Sequence, residues 1–367
     1  MDFAFSEEQE FLRKTAREWL EAKAPIDTVR ELMETDRGYD EAHWREIADL
    51  GWQAMAIPEE YGGAGFGFLE LAVLLEEMGR SLFPAPFLAS VVLAANAVLE
   101  GGDEAQKSEV LAGIAAGETV ATVAVPEGAG PFGPDDATVT ATADGDGWSL
   151  SGTARYVLDG AEADVVVVPA RTDDGLGLFL VSGGDVVAER LPTLDLTRKL
   201  AHLTFDCAPG EPLAAAPATE VLDQVLALGA VAIALEDIGG AARVLDEAVQ
   251  YAKDRVQFGR PIGSFQAIKH KCADMLVAVE SAKSAAYYAA WAAAEDPEEL
   301  TLVAPLAKSY CSEAYFHCAA ENIQIHGGIG FTWEHDAHLY FKRAKSSEVL
   351  LGSPAAHRAV LADRLGL

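Results

Sequence analysis

Positive charge is the scarcest property of this sequence. Lys and Arg number 27 against 58 Asp and Glu, giving a formal net charge of −31 over 367 residues. So acidic a surface repels phosphate backbones and anionic lipid, which excludes nucleic-acid and membrane-surface partners. An anionic ligand must enter through local Lys, Arg or helix N-termini. Cysteine is nearly as sparse: Cys207, Cys272, Cys311 and Cys318 are too few and too scattered for a disulfide scaffold. No CxxC or Cys/His cluster has metal spacing, so no metal is expected, and a reducing cytoplasmic compartment is. Met1 to Glu21 carries charges throughout and lacks an apolar leader core, and no run reaches the ~18 apolar residues of a membrane span. A soluble chain without a membrane span is expected. Glycines are plentiful, yet no GxGxxG follows a strand and opens a helix, which argues against a doubly wound dinucleotide fold.

What is present is a half-apolar chain long enough for two or three modules. Ser6-Glu7-Glu8-Gln9 is a capping-box pattern, and Phe11, Leu12, Ala16 and Leu20 follow at helical spacing. Further helices are expected near His43–Leu50, Phe68–Gly79 and Leu88–Leu99, with a breaker-rich loop, Pro58 to Gly65, among them. After Glu118 the pattern changes to short β-branched runs at Val120–Val125, Ala137–Ala143, Trp148–Gly152, Asp164–Pro169 and Leu176–Val181, punctuated by Gly and Asp. The Pro/Ala stretch Ala208–Pro217 closes this β-module. Helical patterns then resume at Glu220–Val256, Ser264–Glu295, Thr301–Ile325 and Ser353–Leu365. Segregated helices, strands and helices predict an α+β protein with domains at 1–118, 119–212 and 213–367.

Four segments carry a resemblance. Tyr251 to His270 contains Arg255-Val256-Gln257-Phe258-Gly259 and Phe265-Gln266; Gln324-Ile325-His326-Gly327-Gly328-Ile329-Gly330-Phe331 follows later. The opening Phe3-Ala4-Phe5-Ser6-Glu7-Glu8-Gln9 and the loop Pro58-Glu59-Glu60-Tyr61-Gly62-Gly63 match too. Together, and in this order, they resemble the acyl-CoA dehydrogenase family over nearly the whole chain. The resemblance implies an N-terminal helical domain, a middle β-barrel-like domain, a C-terminal four-helix bundle and a dimer of dimers. It implies FAD as cofactor, an acyl-CoA substrate and an electron-transferring flavoprotein as electron acceptor. It also implies that Arg255, Gln257, Phe258, Gln266, Gln324, Gly327 and Gly328 reach the FAD of an adjacent subunit. A guanidinium pairs bidentately with pyrophosphate oxygens, and glycines admit a close approach of backbone N–H groups.

The sequence departs from the family where a carboxylate is needed to remove the substrate α-proton. The two familiar base positions hold Gly229 and Leu351. Glu236 and Asp237 interrupt the apolar run Val225–Ile238, and Glu236 lies seven residues from Gly229 on roughly the same helix face. Unpaired among Ala, Ile and Leu, Glu236 would be desolvated into a stronger base, which makes it the candidate catalytic residue. The alternative is a helical Glu facing a neighbouring helix or paired with a cation such as Arg243; Glu348 ranks behind it. Val125 to Gly133 replaces the family's hydroxyl-bearing flavin loop, and Tyr156-Val157-Leu158-Asp159-Gly160 its aromatic element, with Tyr156 either stacking on the flavin or filling core. These departures resemble the branch of actinobacterial steroid-degrading enzymes built from two different chains as α2β2. Three functions stay open: an FAD-dependent acyl-CoA dehydrogenase, with a steroid side-chain CoA ester as a possible substrate; a non-catalytic partner that completes the FAD site; or an oxygen-using flavin enzyme, as the resemblance also allows.

Overall fold

The structure is a computed structural model that describes residues 6–145 and 147–367; Phe3, Ala4 and Phe5 of the opening motif lie outside them. Two compact units emerge, one from the chain up to Val29, Ala72–Phe83 and Ala230–Leu367, the other from Arg30–Leu71 and Pro84–Gly229.

The capping box forms as expected: Ser6 and Gln9 exchange side-chain and backbone hydrogen bonds at the start of α1, Glu7–Lys23. Helices α2, Ile26–Met33, and α3, Glu41–Asp49, follow, then α4, Phe68–Ser81. The Pro58–Gly65 loop holds a single 3-10 turn, Glu59–Tyr61, closed by Gly62 at φ 82°. The helix expected at Leu88–Leu99 starts as a wide π-type turn, Leu88–Ala94, before α5, Ala95–Gly101. Short α6, Glu104–Gln106, and α7, Ala112–Ala115, complete this stretch.

All five expected strands form: β1 Ala121–Val123, β2 Val139–Asp144, β3 Gly147–Leu158, β4 Val165–Thr172 and β5 Gly175–Ser182. Two more, β6 Val187–Arg190 and β7 Leu200–Leu213, escape the sequence reading. β7 runs through Pro209-Gly210, the pair that reads as a module end. There Pro209 pairs with Ser149 and Gly210 with Trp148 in regular register, and the irregular register lies beyond them, between Leu150 and Gly152. The sheet closes on itself, β4 to β2, β3, β7, β5 and back to β4. Leu150, Val166, Val168, Phe179, Leu203 and Phe205 fill the interior.

Five helices carry the C-terminal part: α8 Ala218–Asp254, α9 Gln266–Glu295, α10 Pro297–His326, α11 Ala337–Val349 and α12 Pro354–Arg364. α11 lies outside the helices expected from periodicity, since Lys342, Arg343 and Lys345 break its apolar pattern, and Arg343 points inward at 4% exposure. α8 is long and apolar enough to cross a membrane, but 89% of its most apolar window is buried, as in a core helix. Its crossing with α4 is glycine-on-backbone: Gly79 faces the Glu236 backbone, and Gly239 faces the Glu76 carbonyl. Around that crossing, Arg17 grips Glu77 bidentately at 2.6 and 2.8 Å, and Arg13 meets Glu76 at 3.3 Å and Tyr287 at 3.1 Å. Burial, with Glu76 alongside, pushes the Tyr287 hydroxyl far above its usual range.

Deep in the same unit, Lys308 is fully buried. Its ammonium donates to Ser312 at 3.1 Å and to the carbonyls of Ser347, Gly352 and Glu348 at 2.8, 3.4 and 3.5 Å. Ser312 in turn donates to Asp237, also fully buried, at 2.9 Å. His357 packs on this turn with its Nε2 2.9 Å from the Leu351 carbonyl, and burial and the nearby Lys308 charge lower its pKa to about 4. The neutral imidazole is therefore favoured by folding. Its contribution is complete above the ordinary value of 6.5 and is lost as pH falls toward 4. Chemical denaturation should find the wild type about 2 kcal/mol less stable at pH 5 than at pH 7 from this group. His357→Gln should flatten that slope, and an unchanged slope would assign the acid sensitivity elsewhere.

Candidate functional site

The first motif forms a minimal hairpin at the end of α8. The Arg255 N–H closes the helix on the Tyr251 carbonyl at 2.8 Å, and β8, Val256–Gln257, then pairs with β9, Arg260–Pro261. Phe258 and Gly259 are the two loop residues, at φ 54° and 78°. Two positive φ values define the tight hairpin turn that normally favours Asn-Gly. A Phe in its first position stores about 1–3 kcal/mol of backbone strain. Phe258 is also 91% exposed. A strained, solvent-facing aromatic is a surface built for something outside its own unit.

The second motif lies at the end of α10. The Gly327 N–H returns to the Gln324 and Ile323 carbonyls, and Gly327 takes φ 66°, ψ −142°, a conformation closed to side-chain-bearing residues. A Cβ on Gly327 or Gly328 would meet no atom within 4 Å, whereas on Gly330 it would strike His326 at 2.8 Å. Packing within the chain thus explains Gly330 and leaves open space over Gly327 and Gly328, room in which a ligand can reach the backbone.

The fold brings these two turns together. The Tyr251 ring lies 4.1 Å from that of His326, and its hydroxyl donates to the His326 carbonyl at 3.4 Å. Arg255, Gln266 and Gln324 are exposed, and Arg255 makes no ion pair among the described residues. Asp254, the neighbour that might have neutralised it, accepts instead from Gln250 at 2.7 Å. Gln257 turns back, its amide donating to the Val256 carbonyl at 2.9 Å. Lys253, Arg260 and Lys269 join Arg255 between residues 251 and 271, where Asp254 is the single carboxylate, while Lys271 is paired with Glu321. In so acidic a chain this is a local anion-attracting patch. The Ser264 hydroxyl, beside it, is buried without a hydrogen-bond partner.

Comparison with known proteins identifies the family. A family model described as acyl-CoA dehydrogenase, N-terminal domain, matches residues 6–118, and one described as acyl-CoA dehydrogenase, C-terminal domain, matches residues 219–366. Acyl-CoA dehydrogenase IpdE2 of Mycolicibacterium smegmatis is 39% identical over 353 residues, 95% of this chain and 96% of that protein. The chain belongs to the acyl-CoA dehydrogenase family. Among solved structures, a variant of the Tcur3481-Tcur3483 steroid ACAD superposes with a TM-score of 0.89 at 34% identity, covering 98% of both chains. The ChsE4-ChsE5 complex from Mycobacterium tuberculosis gives 0.90 at 32%, covering 100% of this chain and 99% of that one. Acyl-CoA dehydrogenases are FAD-binding flavoproteins that oxidise a CH–CH bond of an acyl-CoA. The surface fits that cofactor: an unpaired guanidinium, open glycine backbone and an orphaned hydroxyl suit a pyrophosphate-linked dinucleotide.

The acyl-CoA dehydrogenase base positions are equally informative. Glu236 is not the unpaired carboxylate that its apolar sequence neighbours suggest; its Oε2 stands 3.8 Å from Arg343 Nη1, with the two side chains 11% and 5% exposed. The partner is Arg343 on α11, not Arg243, which bonds Glu247 at 2.7 Å. Sequence reasoning missed this pair because it missed α11. Glu348 is tied to Lys345 at 3.0 Å. Leu351 occupies its turn at φ 56°. In the other unit Tyr156 sits at φ 55° on a bulge of β3, 52% exposed, so it is not core. Its ring meets that of His202 edge-on at 5.3 Å.

Proposed function

We propose that this chain is one subunit of a two-component acyl-CoA dehydrogenase, an α2β2 assembly acting on a steroid-derived CoA thioester. Arg255, Phe258, Gln266, Gln324, Gly327 and Gly328 complete the FAD site of a neighbouring chain, and that second acyl-CoA dehydrogenase-like chain supplies the base. The observation that carries this reading is the mismatch between two sets of residues: the outward-facing FAD contacts are intact, while Gly229 and Leu351 leave both familiar base positions without a carboxylate. The pairing of Glu236 with Arg343 supports it further, because an ion-paired carboxylate is ill placed to take a substrate proton. The likeness to the Tcur3481-Tcur3483 steroid ACAD supports the substrate class.

When bound, FAD would supply the hydride acceptor for the substrate β-carbon while a base takes the α-proton. The residues of this chain bind and orient: Arg255 neutralises phosphate charge, Phe258 covers an apolar face, and the glycine turn admits close backbone contact. An electron-transferring flavoprotein would be the electron acceptor.

The test is expression of the chain alone and together with candidate acyl-CoA dehydrogenase-like chains, followed by visible spectra and turnover of a steroid-CoA ester. The chain alone should be folded, colourless and inactive, and the pair should carry FAD and turn over. Stoichiometric flavin bleached by substrate in the chain alone would overturn the proposal. In the active pair Glu236→Gln should keep turnover within about threefold of wild type, whereas a catalytic base typically contributes 10²–10⁴-fold. A loss in that range would restore Glu236 as the base.

A further inference from the structure

Neither FAD contact nor base chemistry uses the rings that join the two motif turns. Tyr251 precedes Arg255 by one helical turn, and His326 immediately precedes Gly327. Their rings lie 4.1 Å apart, tilted by 30°, and the His335 ring lies 4.4 Å from that of His326, tilted by 55°. His326 is 7% exposed, and its Nδ1 lies 2.9 Å from the Asn322 carbonyl, which fixes the ring one turn back along α10. His335 is anchored in turn, its Nδ1 accepting from the Ala337 N–H at 3.1 Å where α11 begins.

We infer that Tyr251, His326 and His335 are positioning residues, a cluster of three contacting rings that locks the Arg255 hairpin and the Gly327-Gly328 turn into one rigid dinucleotide-binding surface. This rests on the FAD reading of those turns. Each turn ends a different helix, α8 or α10, and a two-residue hairpin or glycine turn has little packing of its own. A pyrophosphate held jointly by a guanidinium and backbone N–H groups needs both at a fixed spacing, and a misplacement of about 1 Å is enough to weaken such a site strongly. Burial lowers the His326 pKa, so at neutral pH the ring is uncharged and stacks as a neutral aromatic.

The experiment compares FAD retention in the assembled, flavin-loaded complex by the fluorescence of FAD released on dilution, with thermal melting of the colourless chain alongside. His326→Leu fills the volume without a π face, and His326→Phe keeps the ring. Leucine should weaken FAD retention at least tenfold and phenylalanine should stay within threefold of wild type, with melting of the colourless chains alike; Tyr251→Leu should behave as His326→Leu does. Equal retention by the leucine and phenylalanine variants would overturn the inference. Arg255→Ala separates this from the site reading: if it loses FAD while His326→Leu does not, only the inference fails, and if Arg255→Ala also keeps FAD, the site reading falls.

Discussion

Replacing Gly239 by alanine should destabilise the protein by about 2–4 kcal/mol, although overpacking of this kind usually costs 1–3 and alanine gains about 1 from helix propensity. A Cβ at Gly239 would fall on the Glu76 carbonyl oxygen and within 2.8 Å of the Arg80 nitrogen. Both are helix backbone, so no side chain can swing aside, and α8 and α4 must separate. Separation pulls at everything held around the crossing, including the ion pairs of Arg13 and Arg17 on α1 and of Glu236 with Arg343. Denaturant titration or thermal melting reads the loss directly. Gly328→Ala is the control: its Cβ meets nothing within 4 Å, so melting should not move while FAD retention falls. If Gly239→Ala melts like wild type, the helices tolerate a wider crossing than the structure shows.

Lys308→Met should have an effect of the same size or larger. The substitution preserves most of the volume but strips the ammonium from Ser312 and from carbonyls of Ser347, Glu348 and Gly352, and removes the buried positive charge that Ser312 links to buried Asp237. Breaking a buried charge network on one side typically costs about 3–5 kcal/mol. Replacing both charges, as in Lys308→Met with Asp237→Leu, should recover much of that loss, since paired apolar replacements leave no orphaned ion. Urea titrations of the two variants give the comparison. A double variant no better than Lys308→Met alone would mean that the turn carbonyls, and not Asp237, make the larger demand.

Local signals carried much of the architecture. Ser6 and Gln9 announce α1 by chemistry within one turn, and the long apolar stretch of α8 has few breakers to obscure it. Elements whose identity depends on distant partners were harder to read. Arg343 faces inward because Glu236 waits there, so α11 shows no apolar stripe; β7 stays paired with β3 through Pro209-Gly210, a pair that reads locally as a strand end. The same division runs through the candidate site. Arg255, Phe258, Gln324 and the glycines were legible as motif residues, and their exposure agrees with an outward role. Glu236 was chosen for its apolar neighbours in sequence, and only the folded chain supplies its cation. Tyr251 and His326 lie inside the quoted motifs, but nothing in their spacing says that α8 and α10 bring the rings into contact. Lys308 had a faint signal, a serine four residues on, one helical turn away.

The closed β-module bears on how such a chain survives before it meets a partner. An open sheet offers its unpaired backbone as a template for other chains, the usual route to aggregation through edge strands. Here the ring of β2, β3, β4, β5 and β7 leaves only β1 and β6 paired on one side among the described residues. β1 has three residues, all buried, and β6 has four, exposed and ending in Glu189-Arg190. Both are too short, and β6 too charged, to recruit a foreign strand. A subunit waiting for a different chain can therefore accumulate without its sheet becoming a seed for self-association.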